Sequence, residues 1–231
     1  MSRPRLAITT TIDRGRQLAD AVVARACEPV LLPCIEIIPA DDDVLGRARA
    51  RAEEVDWLMI TSPRTVATLW PEGGMPDVWV AVVGKRTAHA VESAGGVVDM
   101  VGDLGSGVLV ERLLERVNGT VFFPHGAGSD PFTIARLQEM GVTSYECVVY
   151  ETHPIPPRAD PVDAAIFGSP SAVAGWSLSR SFDGVTVGAI GPTTADALVA
   201  RGHPPEMVAN HPSFEDLIDL AARHLSDRNL V

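Results

Sequence analysis

Short apolar runs alternate with amphipathic stretches along this chain, and the alternation predicts its elements. Leu6-Ala7-Ile8-Thr9 reads as a strand, Arg14 to Cys27 as a helix, Val30 to Ile38 as extended chain and Asp41 to Glu54 as a polar helix. A strand from Trp57 to Thr61, a helix from Pro63 to Trp70, a strand from Val78 to Val83 and a helix from Lys85 to Ala94 follow. A strand from Val97 to Val101 and a helix from Ser106 to Val117 complete this half, and the pattern begins again at Thr120. Strands and helices alternating at this spacing predict parallel sheets covered on both faces.

The second half is a diverged copy of the first. At a constant offset of 107 residues, Asp56 to Val117 aligns without a gap on Asp163 to His224, with 17 identities in 62 positions. The matches fall on turns and helix starts: Ser62-Pro63 with Ser169-Pro170, Gly84 with Gly191, Thr87-Ala88 with Thr194-Ala195 and Gly95 with Gly202. Before this block the offset becomes 115, pairing Leu6 with Val121, Val22 with Leu137 and Val30 with Tyr145. The proline-rich stretch Thr152 to Pro161 is the linker-like segment of the middle of the chain, and Glu36-Ile37-Ile38-Pro39 stands opposite it in the repeat. The fold class expected is therefore α/β, two similar parallel-sheet domains joined by two extended crossover strands.

Composition narrows the function. Of 231 residues 46% are hydrophobic, enough to build cores and too many for a disordered chain. With 30 acids against 19 bases the formal charge is -11, which argues against nucleic-acid or anionic-membrane partners, since those need clustered cations. Cys27, Cys34 and Cys147 are scattered, without a CxxC pair, so neither a zinc site nor a disulfide framework is expected. No signal peptide or membrane span is expected either, and a cytoplasmic location is the default reading.

The candidate chemistry lies where strands lead into helices. Thr9-Thr10-Thr11, Thr61-Ser62-Pro63-Arg64, Gly84-Lys85-Arg86-Thr87, Pro124 to Ser129, Gly168-Ser169-Pro170-Ser171 and Gly191-Pro192-Thr193-Thr194 are small and hydroxylated. Such turns present backbone N–H groups and the positive end of a helix, a combination suited to anions. The same residues also serve as ordinary N-caps with proline in the first turn. His125 to Ser129 reads as an exposed glycine-rich loop without the Lys-Ser/Thr ending of a P-loop. No nucleophile with a base, carboxylate pair or metal constellation emerges. The residues alone lead to a two-domain α/β protein with an anion-binding cleft. A non-catalytic ligand-binding or regulatory module and an enzyme handling nucleotides or sugar phosphates both remain open.

Several runs resemble the uroporphyrinogen-III synthase family: Ile60 to Arg64, Val82 to Ala88, Phe123-Pro124-His125-Gly126, Val148 to Thr152, Phe167 to Val173 and above all Ala189-Ile190-Gly191-Pro192-Thr193-Thr194-Ala195. The resemblance implies one domain of 1–35 with 157–231, a second of 40–150, and linker strands at 36–39 and 151–156. It implies closure of the linear tetrapyrrole hydroxymethylbilane by a monomer without a cofactor, with loss of water and inversion of ring D. Tyr150 matches a tyrosine proposed to assist departure of the hydroxyl. Thr87, Ser169, Thr193 and Thr194 match positions that hold carboxylates or ring nitrogens, and Arg64 matches a basic position. Taken with the turns, the expected substrate contacts are Thr61, Ser62, Arg64, Gly84, Thr87, His125, Gly126, Ser169, Ser171, Gly191, Thr193 and Thr194. The chain departs from the family where Thr10 to Arg14 replaces Thr-Arg-Pro, and where His125 and Asp130 stand in place of an Arg-Gly-Asp and a following Arg.

Overall fold

In chain order the elements are β1 (Arg5–Ile8), α1 (Ile12–Val23), β2 (Glu28–Leu31), β3 (Ile35–Pro39), α2 (Asp42–Glu53), β4 (Trp57–Ile60), α3 (Pro63–Leu69), β5 (Trp79–Val83), α4 (Gly84–Ser93) and β6 (Met100–Gly102). There follow α5 (Ser106–Leu114), β7 (Thr120–Gly126), α6 (Phe132–Glu139), β8 (Thr143–Pro154), β9 (Ala164–Phe167), α7 (Pro170–Ser177), β10 (Thr186–Ala189), α8 (Pro192–Val199), β11 (Met207–Val208) and α9 (Phe214–Arg228). The computed structural model describes residues 3–102 and 105–228. Met1-Ser2 of the N-terminal reading, and Asp103 and Leu104 of the aligned block, lie outside the described residues.

The chain divides into two units, one of Met1–Ile37 with His153–Val231 and one of Ile38–Thr152. It leaves the first unit in β3 and returns to it in β8. The first unit is built on a five-stranded sheet in the order β11-β10-β9-β1-β2, parallel throughout. The second is built on a six-stranded sheet, β3-β8-β7-β4-β5-β6. The order β6-β5-β4-β7-β8 is the first unit's order element for element, so the duplication in the sequence is a duplication of topology.

Both faces of each sheet are covered, which is why the strands read as unbroken apolar runs. In the first unit Leu6 and Ile8 of β1 and Ala164 and Ile166 of β9 face α1 and α9, where Leu18, Val22, Leu217 and Ala221 are buried. The alternate residues Ala7, Ala165 and Phe167 face α7 and α8, packing with Val173, Trp176 and Leu198. In the second unit Met59, Ala81, Val121 and Phe123 pack on Leu109 and Leu113 of α5 and Leu137 of α6.

Carboxylates brace the amino ends of the strands in the same way in both copies. Asp56 accepts the Thr120 N–H at 2.7 Å, and Asp163 accepts the Arg5 N–H at 2.6 Å. Asp99 accepts the Val80 N–H at 2.8 Å, and Glu206 accepts the Val187 N–H at 2.8 Å. Each bond ties a strand or its leading residue to its neighbour and is charge-assisted, hence stronger than a neutral pair.

Five boundaries differ from the sequence reading by more than a residue or two. Val30 to Ile38 is two strands rather than one extended run, because Leu32 to Cys34 leave the ladder. The strand expected from Val97 starts at Met100, where pairing with Ala81 begins, and Val97 itself is 69% exposed. Both long helices of the first half end early, at Val23 and Leu114. The linker-like segment contributes its first three residues to β8, since backbone pairing does not require apolar side chains.

Candidate functional site

In the second unit the carboxyl ends of β4, β5 and β7 carry most of the expected contacts. Ser62 has extended backbone and its hydroxyl accepts the Arg64 N–H at 3.2 Å, with Pro63 in the first turn of α3. Thr61 stands just before it, at the end of β4. Gly84 opens α4 with φ of 75°, a left-handed value that costs a side-chain-bearing residue energy and glycine little. Thr87, one turn on, is 2% exposed, so its hydroxyl does not reach the surface.

Arg64 is the distinctive group of this end. Its guanidinium lies deep enough that burial pushes its pKa down; the nearby Tyr150 opposes that shift and Arg86 adds to it. No salt bridge or side-chain hydrogen bond joins Arg64 to another described residue. A partly desolvated cation beside a second cation and a phenol, with no carboxylate of its own, has the chemistry to receive an anion.

Tyr150 belongs to β8, 7% exposed, and its ring lies against the α-carbon of Gly126 in β7. A Cβ on Gly126 would sit 2.5 Å from Cε2 and Cζ of that ring and 2.8 Å from its hydroxyl oxygen. The Tyr150 carbonyl accepts the Ala127 N–H at 3.0 Å, so the end of β7 is stitched to β8 beside the phenol.

The structure corrects the reading of the glycine-rich loop. Pro124, His125 and Gly126 are residues of β7, paired with Cys147, Val148 and Tyr150, and only Ala127 to Ser129 turn away. His125 is 8% exposed rather than a loop side chain. It stacks on Phe123 with centroids 4.6 Å apart, its Nδ1 is 2.9 Å from the Gly126 carbonyl oxygen, and its Nε2 is 3.4 Å from Glu146. A side chain so held is fixed at the end of β7 rather than on a loop. The β4 ladder reaches only Phe122, which leaves Pro124 outside it.

The first unit presents the equivalent ends of β9 and β10. Ser169 is extended and its hydroxyl accepts the Ala172 N–H at 3.3 Å, with Pro170 and Ser171 opening α7. Gly191 is fully extended ahead of Pro192 and Thr193 in α8, and Thr194 is 3% exposed. Thr87 and Thr194 are thus equivalent and buried. Ser62 and Ser169 are equivalent caps. At the end of β1 the Thr9 hydroxyl donates to the Ile166 carbonyl at 2.8 Å, and Arg14 reaches Gln17 and Glu215.

Sequence reasoning placed Tyr150, Gly126 and Arg64 on one functional list without indicating that they meet, and it left Arg86 off that list. No spacing signal could have joined them, because β4, β7 and β8 become neighbours only in the sheet. Among the described residues no group of three or more His, Cys, Asp or Glu could hold a metal ion. Among them, too, no helix is long and apolar enough to cross a membrane.

Fold and strand ends together define a duplicated α/β protein with doubly covered sheets, whose strand ends carry helix N-termini and hydroxyls in each unit and, in the second, an uncompensated arginine. The profile of the family described as uroporphyrinogen-III synthase HemD matches residues 16–219. The chain belongs to the uroporphyrinogen-III synthase family. It is 27% identical over 220 residues to the chloroplastic uroporphyrinogen-III synthase of Oryza sativa subsp. japonica, covering 82% of this chain and 71% of that protein. It is 24% identical over 243 residues to the porphyrin biosynthesis protein HemD of Ruminiclostridium josui, covering 95% of this chain but only 47% of that longer protein. The crystal structure of uroporphyrinogen-III synthetase from Helicobacter pylori 26695 superposes with a TM-score of 0.68 over 96% of this chain and 99% of that one. At 18% identity it speaks for the fold alone.

Proposed function

We propose that this chain is a hydro-lyase that closes hydroxymethylbilane to uroporphyrinogen III, with loss of water and inversion of ring D, and that it works without a cofactor. The observation that carries the proposal is Arg64, half-buried, unpaired and beside Tyr150. Family membership favours this reading over a non-catalytic module, and the strand position of His125 disfavours a nucleotide enzyme.

The linear substrate bears eight carboxylates. Arg64 takes one of them, and the first-turn N–H groups behind Ser62 suit another. Tyr150 donates its phenolic proton to the departing hydroxyl, which leaves as water while the pyrrole nitrogen supplies electrons and an azafulvene forms. Ring D attacks through its substituted carbon to give a spiro intermediate, which fragments and recombines with ring D inverted. Closure without this enzyme proceeds without inversion, so holding the chain folded is the larger part of catalysis. The proposed setting is the cytoplasm, with the protein acting as a monomer. The thiols of Cys27, Cys34 and Cys147 are all free, which fits a reducing compartment.

Incubation with freshly generated hydroxymethylbilane, followed by separation of the isomers, tests the reading. Predominant isomer III formed faster than spontaneous closure is expected. Isomer I alone, at the spontaneous rate, would overturn it.

A further inference from the structure

The amino ends of β4 and β5, at the opposite end of these strands from Arg64 and Gly84, carry a feature that the reaction does not use. Trp57 and Trp79 lie side by side in the ladder and stack with centroids 5.7 Å apart and planes 26° from parallel. Trp57 is buried, whereas Trp79 is 58% exposed. Open grooves flank it, one of about 490 Å³ lined by Asp56, Asp77, Val97 and Asp99, the other of about 430 Å³ reaching Arg116 and Asn118.

The duplicated half provides an internal control. Asp56 and Asp99 have counterparts in Asp163 and Glu206 that make the same strand-bracing bonds, so the fold accounts for those carboxylates. The fold accounts for Trp57 as well, which is buried in the core of this unit, but not for Asp77, Trp79 or Val97. Where this unit has Trp57, Asp77, Trp79 and Val97, the other has Ala164, Gly184, Thr186 and Pro204, and its sheet forms in the same order. Asp77 is exposed, and no hydrogen bond or ion pair joins it to another described residue. Exposed indole, unpaired carboxylate and exposed valine are thus an addition specific to one copy, placed where the scaffold needs none of them.

We propose that this surface docks an extended, arginine- or lysine-bearing segment of a partner protein. The chemistry is complementary. A guanidinium or ammonium laid on the face of Trp79 gains a cation–π contact and pairs with Asp77, with Asp99 behind it. An apolar neighbour in the segment covers Val97. Exposed tryptophan flanked by grooves is also the residue type on which interface energy concentrates. An anionic partner would meet Asp56, Asp77 and Asp99 against the single cation Arg116.

The test uses the full chain and a synthetic peptide alternating arginine and valine, capped at both ends, with the glutamate-for-arginine peptide as comparison. Titration calorimetry is expected to show saturable binding of the basic peptide that weakens with added salt, and none of the acidic one. Trp79→Thr and Asp77→Gly, which install residues that the other copy carries in the same fold, are expected to weaken binding at least about fivefold each. Both variants should form isomer III at the unaltered rate. Absence of saturable binding, equal affinity in the Trp79→Thr variant, or equal binding of the acidic peptide would overturn the proposal. So would self-association in sedimentation velocity that disappears with Trp79→Thr, which would make a second copy of this chain the occupant.

Discussion

Replacing Gly126 by alanine tests the contact on which the Tyr150 ring rests. The new Cβ would stand 2.5 Å from two ring carbons of Tyr150 and 2.8 Å from its hydroxyl, whereas an ordinary contact begins near 3.4 Å. The phenol therefore has to retreat by about 1 Å, and since Tyr150 is 7% exposed it must push against packed neighbours to do so. Overpacking of this kind destabilises by about 1–3 kcal/mol. The larger effect is on rate, because a displacement of about 1 Å at a reacting group costs on the order of 100-fold. We expect Gly126→Ala to form uroporphyrinogen III about 100-fold more slowly, with a raised share of isomer I. The expected loss of thermal stability is too small to account for that slowing at assay temperature. In a Tyr150→Phe background the same substitution should cost far less, because both changes act on one hydroxyl. A Gly126→Ala variant with the full rate, or a loss of equal size in the Tyr150→Phe background, would refute the role assigned to this contact.

Three further outcomes follow from the same geometry. Arg64→Gln should raise KM by about 10-fold or more, the scale of a charged hydrogen bond, while leaving stability unchanged or slightly higher, because an unpaired, partly desolvated charge has been removed; substrate titration and thermal melts read the two effects separately. Gly175→Ala should unfold the first unit or lower its melting temperature by several degrees, since the added methyl would run into the backbone carbonyls of Cys34 and Ile155, which cannot yield like a side chain; an unshifted melt would count against this. Acid should destabilise the protein. Bonds from Thr120 hold Asp56 below its ordinary 3.8, the Arg25 guanidinium does the same for Asp219, and Arg136 holds Glu111 below 4.5. Their folded values lie under their unfolded ones, so the stabilisation is complete above about pH 5 and is lost as pH falls through the folded values. Calorimetric melting temperatures should be flat from pH 7 to about 5 and drop below that, and a rise on acidification would contradict the assignment.

The repeat was legible because it is written in local chemistry. Ser62-Pro63 and Ser169-Pro170 need the same hydroxyl cap and the same proline in the first turn wherever they occur, so both survived divergence in place. Asp56 and Asp163 were visible as a match, and the structure adds why: each accepts a backbone N–H from the strand beside it. His125 was misread because glycine and proline around it signal a loop in isolation. A strand neighbour that keeps pairing through Tyr150 outweighs that local preference. Val97 was misread as strand because β-propensity does not reveal where a partner strand begins.

By itself the order of apolar and polar residues determined the α/β class, the alternation of elements, the duplication and the positions of the helix caps, because each depends on the period or dihedral preference of a few consecutive residues. Only the tertiary structure decided that β4, β7 and β8 are neighbours, that the Tyr150 ring rests on Gly126, that Arg64 is half-buried without a carboxylate and that Trp79 stands out between two grooves. Those facts depend on which distant strands share a sheet and on what each side chain meets there. Burial and pairing, unlike periodicity, are properties of the neighbours a residue acquires on folding.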